Sequence, residues 1–94
     1  MKTATEKRID FRNNLKSHKI MVTPGVGDAL AARIAELAGM TCITMGGYSV
    51  SASRLGQPDV GLLSCSEMAE QLTGICNAVN IPVIADGDTG YGNA

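Results

Sequence analysis

The sequence predicts an α/β chain with parallel strands, and three observations predict it. Short, continuously apolar runs occur at Ile20–Thr23, Thr41–Met45 and Val83–Ala85. Segments with helical spacing separate them, the pattern of parallel strands covered by helices. Each run ends in Gly- or Asp-rich sequence: Pro24-Gly25, Gly46-Gly47 and Asp86-Gly87-Asp88. Parallel α/β folds carry ligand sites at these C-terminal strand ends, so function is expected along one rim. An eight-stranded barrel and an open sheet both satisfy this order.

The elements follow in turn. Residues 5–15 are helix-like, with Thr3 or Thr5 as N-cap. Ile20–Thr23 reads as the first strand, stopped by a turn at Pro24-Gly25. Asp28 caps an alanine-rich helix over 29–38, whose apolar stripe is Leu30, Ile34, Leu37 and Ala38, and Gly39 stops it. Thr41–Met45 is the second strand. Residues 48–63 read as a long loop with a short helical turn near Ser49–Leu55. Ser64 or Ser66 caps a helix reaching about Val79, with Met68, Leu72, Ile75 and Val79 as its packing stripe. Asn80-Ile81-Pro82 breaks that helix, and Val83–Ala85 begins the third strand.

Composition narrows the function classes. The 94 residues are 45% hydrophobic and 18% charged, as in an ordinary globular chain. A net charge of −1 provides no overall field to recruit nucleic acid or an anionic membrane. Six of the eight Lys and Arg fall in residues 1–19, interrupted by Glu6 and Asp10. This start reads as a solvated helix face, the alternative being an organelle transit peptide. No apolar run has the length of a membrane span. Three cysteines, an odd number without a CxxC pair, suit a reducing cytoplasm better than a disulfide framework. Cys42 and Cys76 read as small core residues and His18 as a surface residue.

The chemistry-bearing stretch is Val83-Ile84-Ala85-Asp86-Gly87-Asp88-Thr89-Gly90-Tyr91-Gly92. Side chains two apart on an extended strand point the same way, so Asp86 and Asp88 can converge on one cation. Hard oxygen ligands suit Mg²⁺, with Mn²⁺ as the alternative. Read blandly, the same acids are helix caps or turn carboxylates. Asp59, in Pro58-Asp59-Val60-Gly61, is a third candidate carboxylate, and alone it would be a turn residue. Gly46-Gly47 brings backbone N–H groups together without side chains in the way. Such a turn holds a carboxylate or phosphate, or is simply a tight corner. Gly25-Val26-Gly27 lacks the third glycine of a dinucleotide fingerprint, and no GK[ST], HExxH or GxSxG occurs.

Together these segments resemble the isocitrate lyase/phosphoenolpyruvate mutase superfamily. The resemblance runs from about Met21 to Ala94, through Pro24-Gly25-Val26-Gly27-Asp28-Ala29-Leu30, Gly47-Tyr48-Ser49-Val50-Ser51-Ala52-Ser53, Leu55-Gly56-Gln57-Pro58-Asp59-Val60-Gly61-Leu62-Leu63 and Asp86-Gly87-Asp88-Thr89-Gly90-Tyr91-Gly92-Asn93. It implies the N-terminal portion of a (β/α)8 TIM-type barrel, with residues 1–18 a leading helix and 19–94 the first three β/α units. It also implies Mg²⁺ and a small 2-oxo or 2-hydroxy acid at the strand ends. By resemblance Asp86 ligates the metal, while Asp59 and Asp88 hold it largely through water. Met45, Gly46 and Gly47 bind the substrate carboxylate through backbone amides, beside Asp86. Family members usually carry Ser where Gly46 stands and Ala where Gly87 stands, so this chain lacks one hydroxyl donor at the turn.

The activity implied is Mg²⁺-dependent carbon–carbon cleavage of a methylisocitrate- or dimethylmalate-type acid, giving pyruvate or a related 2-oxo acid. A phosphoenolpyruvate or carboxyphosphonoenolpyruvate mutase, or an oxaloacetate decarboxylase, is the runner-up. The family's general-acid Cys is expected downstream of these residues, and Cys42, Cys65 and Cys76 do not match it. Since such a barrel needs about 250 residues, the 94 residues alone are expected to lack turnover. The full-length form is expected to be a cytoplasmic homo-oligomer, a tetramer. A reading of another class makes the chain a non-catalytic interaction module.

Overall fold

Local capping chemistry sets where the helices begin. A computed structural model describes residues 1–58, 63–87 and 89–90. Thr3 accepts from the Glu6 N–H while Glu6 reaches back to the Thr3 N–H, a reciprocal box that opens α1 (Ala4–Lys16). The same box, made by Ser64 and Glu67, opens α4 (Cys65–Ala78). Asp28 caps α2 (Ala29–Leu37) by accepting from the Ala31 N–H at 2.7 Å. Between α2 and α4 lies α3 (Gly47–Leu55), a full helix rather than the single turn expected near Ser49–Leu55. It ends at Gly56, whose φ of 62° is the left-handed stop that glycine adopts without a steric cost.

Three strands, β1 (Gly25–Val26), β2 (Ile43–Met45) and β3 (Val83–Ala85), pair in parallel in the order β1-β2-β3. The first strand is a correction to the sequence reading. Ile20–Thr23 was expected to form it, yet Gly25 pairs with Thr44 and Val26 with Met45. The ladder begins with the Pro24 carbonyl accepting from the Thr44 N–H at 2.9 Å. β2 is only three residues long, so residues 20–23 have no strand opposite them, and Ile20 is 93% exposed.

The core lies between the sheet and the helices. Ile43 and Met45 of β2 are buried with Val26, Ala32, Val50, Met68, Ile75 and Val79, and Leu72 packs at its edge. The stripe expected on α4 is thus its packing face. On α2 the expectation is inverted. Leu30, Ile34 and Leu37 are 71%, 59% and 79% exposed, while Ala31, Ala32 and Ala35 pack inward. Small alanines let α2 approach the sheet and α4 closely, which turns the bulky stripe about half a turn away.

Sequential parallel strands whose covering helices α2 and α4 pack against each other are wound in one direction, with helices on one face. That winding is shared by a (β/α)8 barrel and by one half of an open doubly wound sheet. The opposite face is lined by Thr44 and its register partner Ile84, with Thr44 Oγ1 donating to Thr23 Oγ1 at 3.0 Å. At the other end, Lys7 Nζ caps α4 by donating to the Cys76 carbonyl at 2.6 Å, and the Lys2 N–H donates to Asn80 Oδ1 at 2.7 Å. The basic leading helix is therefore spent on the strand N-terminal end, away from the rim.

Candidate functional site

β2 and β3 deliver their last residues side by side. The ladder runs one step past β3, with the Asp86 N–H donating to the Met45 carbonyl at 3.0 Å. Strand alternation then places Asp86 on the face shared by Thr44 and Ile84. Directly after Met45, Gly46 is the N-cap of α3 in extended backbone (φ −99°, ψ 149°) and offers no side-chain cap. The Gly47 N–H, in the first turn of α3, donates to Asp86 Oδ2 at 3.3 Å. A helix N-terminus carries partial positive charge, so a carboxylate is favoured there.

Four of the expected residues thus meet at one rim: Met45, Gly46, Gly47 and Asp86. Met45 is buried and contributes its backbone there, whereas Asp86 is solvent-exposed. Asp59 and Asp88 lie outside the described residues. Among the described residues, no group of three His, Cys, Asp or Glu side chains is assembled. The donor present fits a hard divalent cation, since Asp86 presents carboxylate oxygen at a strand end open to solvent. A Cβ at Gly46 would meet nothing within 4 Å, so the larger residue usual at that position would fit.

Beside Asp86 is an apolar hollow of about 210 Å³, whose walls include Met45, Met68, Leu72 and Gly87. A larger concavity of about 450 Å³ lies at the opposite end of the strands, among Lys7, Phe11, Cys76 and Ile84. It shares no residue with the rim. Burial pushes the Cys76 thiol up from its ordinary value, and Cys42 likewise, so neither is an activated nucleophile.

A network behind the rim was not anticipated. Gly27 packs its backbone onto α3, where a Cβ would overlap the Ser49 carbonyl oxygen. Asp28 Oδ2 accepts from Ser53 Oγ at 2.6 Å, and that hydrogen bond, together with the Ala31 N–H, holds the carboxyl below the ordinary range. Gln71 Nε2 of α4 donates to the Gly27 carbonyl at 2.8 Å, and Gln71 Oε1 accepts from Arg54 Nη1 at 3.3 Å. The available signal was a polar Gln flanked by Met68, Leu72 and Ile75 on a packing face, which requires a buried partner.

Comparison with known proteins agrees with this architecture. The phosphoenolpyruvate phosphomutase family model matches residues 11–94. The chain is 48% identical over 84 residues to 2,3-dimethylmalate lyase of Eubacterium barkeri, covering 89% of this chain and 29% of that protein. It is 46% identical over 85 residues to the chloroplastic carboxyvinyl-carboxyphosphonate phosphorylmutase of Arabidopsis thaliana, covering 89% and 25%. A crystal structure of phosphonopyruvate hydrolase with oxalate and Mg²⁺ superposes with a TM-score of 0.85 at 38% identity, covering 93% of this chain and 30% of that one. The chain therefore spans under a third of the length of these relatives. With its strands wound as in a (β/α)8 barrel, this chain belongs to the phosphoenolpyruvate phosphomutase family, within the isocitrate lyase/phosphoenolpyruvate mutase superfamily of lyases and mutases.

Proposed function

We propose that these residues form part of a Mg²⁺-dependent carbon–carbon lyase acting on a small 2-hydroxy di- or tricarboxylate of the methylisocitrate or dimethylmalate type. The observation that carries the reading is the junction of Asp86 with the N-terminus of α3 through the Gly47 N–H. One carboxylate and one set of backbone donors converge there, as a chelated 2-oxo acid requires.

Asp86, Asp59 and Asp88 would hold the cation, with Asp86 in direct contact. Mg²⁺ supplies Lewis-acid stabilisation of the negative charge that develops as the carbon–carbon bond breaks. The chain's own task is placement. The Gly47 N–H, which donates to Asp86 Oδ2 at 3.3 Å, would be the donor offered to a substrate carboxylate were Asp86 to hold the cation. Gly46 leaves room above that donor because it carries no side chain. The partial positive end of α3 adds to the hold on a carboxylate.

Cleavage also needs a general acid, and by the resemblance Cys42, Cys65 and Cys76 do not match the family's acid Cys. The 94 residues alone are accordingly proposed to lack turnover. A second reading, a phosphoenolpyruvate-type mutase, is favoured by the 46% identity to the Arabidopsis mutase, close to the 48% to the lyase.

Grafting these residues in place of the matching third of 2,3-dimethylmalate lyase tests the reading. The graft is expected to release pyruvate from dimethylmalate only with Mg²⁺ present, and the 94 residues alone to release none. A graft that cleaves equally well in chelator, or isolated residues that turn over, would contradict it.

A further inference from the structure

The geometry points to Gln71 as a positioning residue that sets where the Gly47 N–H stands relative to Asp86. The inference deepens the proposed lyase site and rests on that reading. Gln71 lies on α4, and its hydrogen bonds go to Gly27 and Arg54. It acts through α3.

Besides the buried Val50 and the Gly47–Asp86 bond, α3 is held by contacts to the Gly27–Asp28 turn and to α4, and Gln71 joins these two. The Gly27 backbone abuts α3 at Ser49, so tightly that a Cβ there would stand 2.7 Å from the Ser49 carbonyl carbon and 3.0 Å from Ser53 Cβ. One residue on, Asp28 holds Ser53 by a hydrogen bond of 2.6 Å. Gln71 then clamps this turn from the other side, donating to the Gly27 carbonyl at 2.8 Å and accepting from Arg54, near the end of α3, at 3.3 Å. Arg54 also reaches Glu70 at 3.4 Å. One amide thus links the β1–α2 turn, α3 and α4 through a donor and an acceptor that point to different elements.

The Gly27 carbonyl is the constraint that matters. Gly27 is buried, so its carbonyl needs a partner, and Gln71 is a partner from outside its own loop. Releasing it lets the turn, and with it α3, settle elsewhere. Gly47, the donor at the rim, stands at the start of α3, two residues before Ser49.

The test uses the 94-residue chain and Gln71→Met, which keeps side-chain length and helix propensity but removes both hydrogen bonds. Amide hydrogen exchange is read at Val50, bonded to the Gly46 carbonyl, and at Thr44 and Met68 as references in the sheet and α4. Oxalate affinity in the presence of Mg²⁺ is read in the same samples by NMR titration. Val50 is expected to exchange about tenfold faster, the loss of one part-buried hydrogen bond, with Thr44 and Met68 at parent rates. Oxalate affinity is expected to fall by about the same factor. Gln71→Glu, which keeps the acceptor for Arg54 and loses the donor, is expected to match Gln71→Met. Gln71→Lys combined with Arg54→Gln restores a donor to Gly27 and an acceptor partner, and is expected to recover both readouts. Parent exchange at Val50, an equal rise at all three amides, or a double variant that recovers neither readout overturns the inference. If the expected exchange pattern appears but the parent chain binds no oxalate, the lyase reading falls and the hold of Gln71 on α3 stands.

Discussion

The Gly47 N–H donates to Asp86 Oδ2 across 3.3 Å, joining residues 39 apart in sequence at the ends of neighbouring parallel strands. Asp86 is tied a second time, to β2, since its own N–H donates to the Met45 carbonyl. The acid is therefore held in register with the α3 N-terminus by backbone, and its carboxylate remains at the solvent-facing rim. A cation and a carboxylic acid can be placed together by that arrangement.

Within a family-length form, Asp86→Ala is expected to raise the Mg²⁺ needed for half-maximal activity more than Asp59→Ala, because direct contact outweighs contact through water. A loss of the order of 10–100-fold is typical where a residue holds the metal indirectly, as expected for Asp59, and Asp86→Ala is expected to exceed it. Steady-state rates across a Mg²⁺ series check this. Equal rates for Asp86→Ala and the parent at limiting Mg²⁺ would contradict the assignment.

Gly27→Ala places a methyl against the Ser49 carbonyl, which is backbone and cannot rotate away. Overpacking of this kind costs about 1–3 kcal/mol. Urea unfolding is expected to show that loss, whereas Gly46→Ala, with nothing within 4 Å of the new Cβ, should cost under about 1 kcal/mol.

The Asp28 carboxyl is held below its ordinary range by the Ser53 hydroxyl first and the Ala31 N–H second. The unfolded chain therefore binds this proton more readily than the folded one, and stability rises with pH through the window. The contribution is complete above about pH 4, the unfolded carboxylate value, and is lost as pH falls through the lower folded value. Denaturant midpoints between pH 2 and 6 check this. Ser53→Ala is expected to narrow the window by raising the folded value, and an unchanged acid limb would refute the cause.

Ile75 is fully buried in the core between α4 and the sheet. Ile75→Ala should cost about 2–5 kcal/mol, a large share of the stability of a small domain. Leu37→Ala, on the exposed stripe of α2, should cost under about 0.5 kcal/mol. Paired thermal melts distinguish the two.

The starts of α1, α2 and α4 were legible in the sequence because caps are local, whereas α3 begins after Gly46 without a side-chain cap and its sequence reads largely as loop. Thr3, Asp28 and Ser64 each act on an amide three residues on. The α4 stripe was legible because bulky residues recur there at helical spacing and bury. The α2 stripe misled because apolar character reports which face could be buried, and the alanines on the other face permit the closer approach. Ile20–Thr23 misled for a related reason: an apolar run does not reveal whether a partner strand extends beside it. At the rim, Gly46, Gly47 and Asp86 could be singled out as residue types, but their junction is a contact between distant segments. The Gln71–Gly27 bond, 44 residues apart, is of the same kind. Asp59 and Asp88 fall outside the described residues, and their roles are carried by resemblance.

The most direct test is to titrate Mn²⁺ into the chain and follow paramagnetic broadening of the backbone amides. Broadening centred on Gly46, Gly47, Asp86 and Gly87, relieved by added Mg²⁺ and lost in Asp86→Asn, is the result expected. Broadening that centres instead on acids away from the strand ends, such as Glu36 or Glu70, or that survives Asp86→Asn unchanged, would contradict a divalent site at this rim.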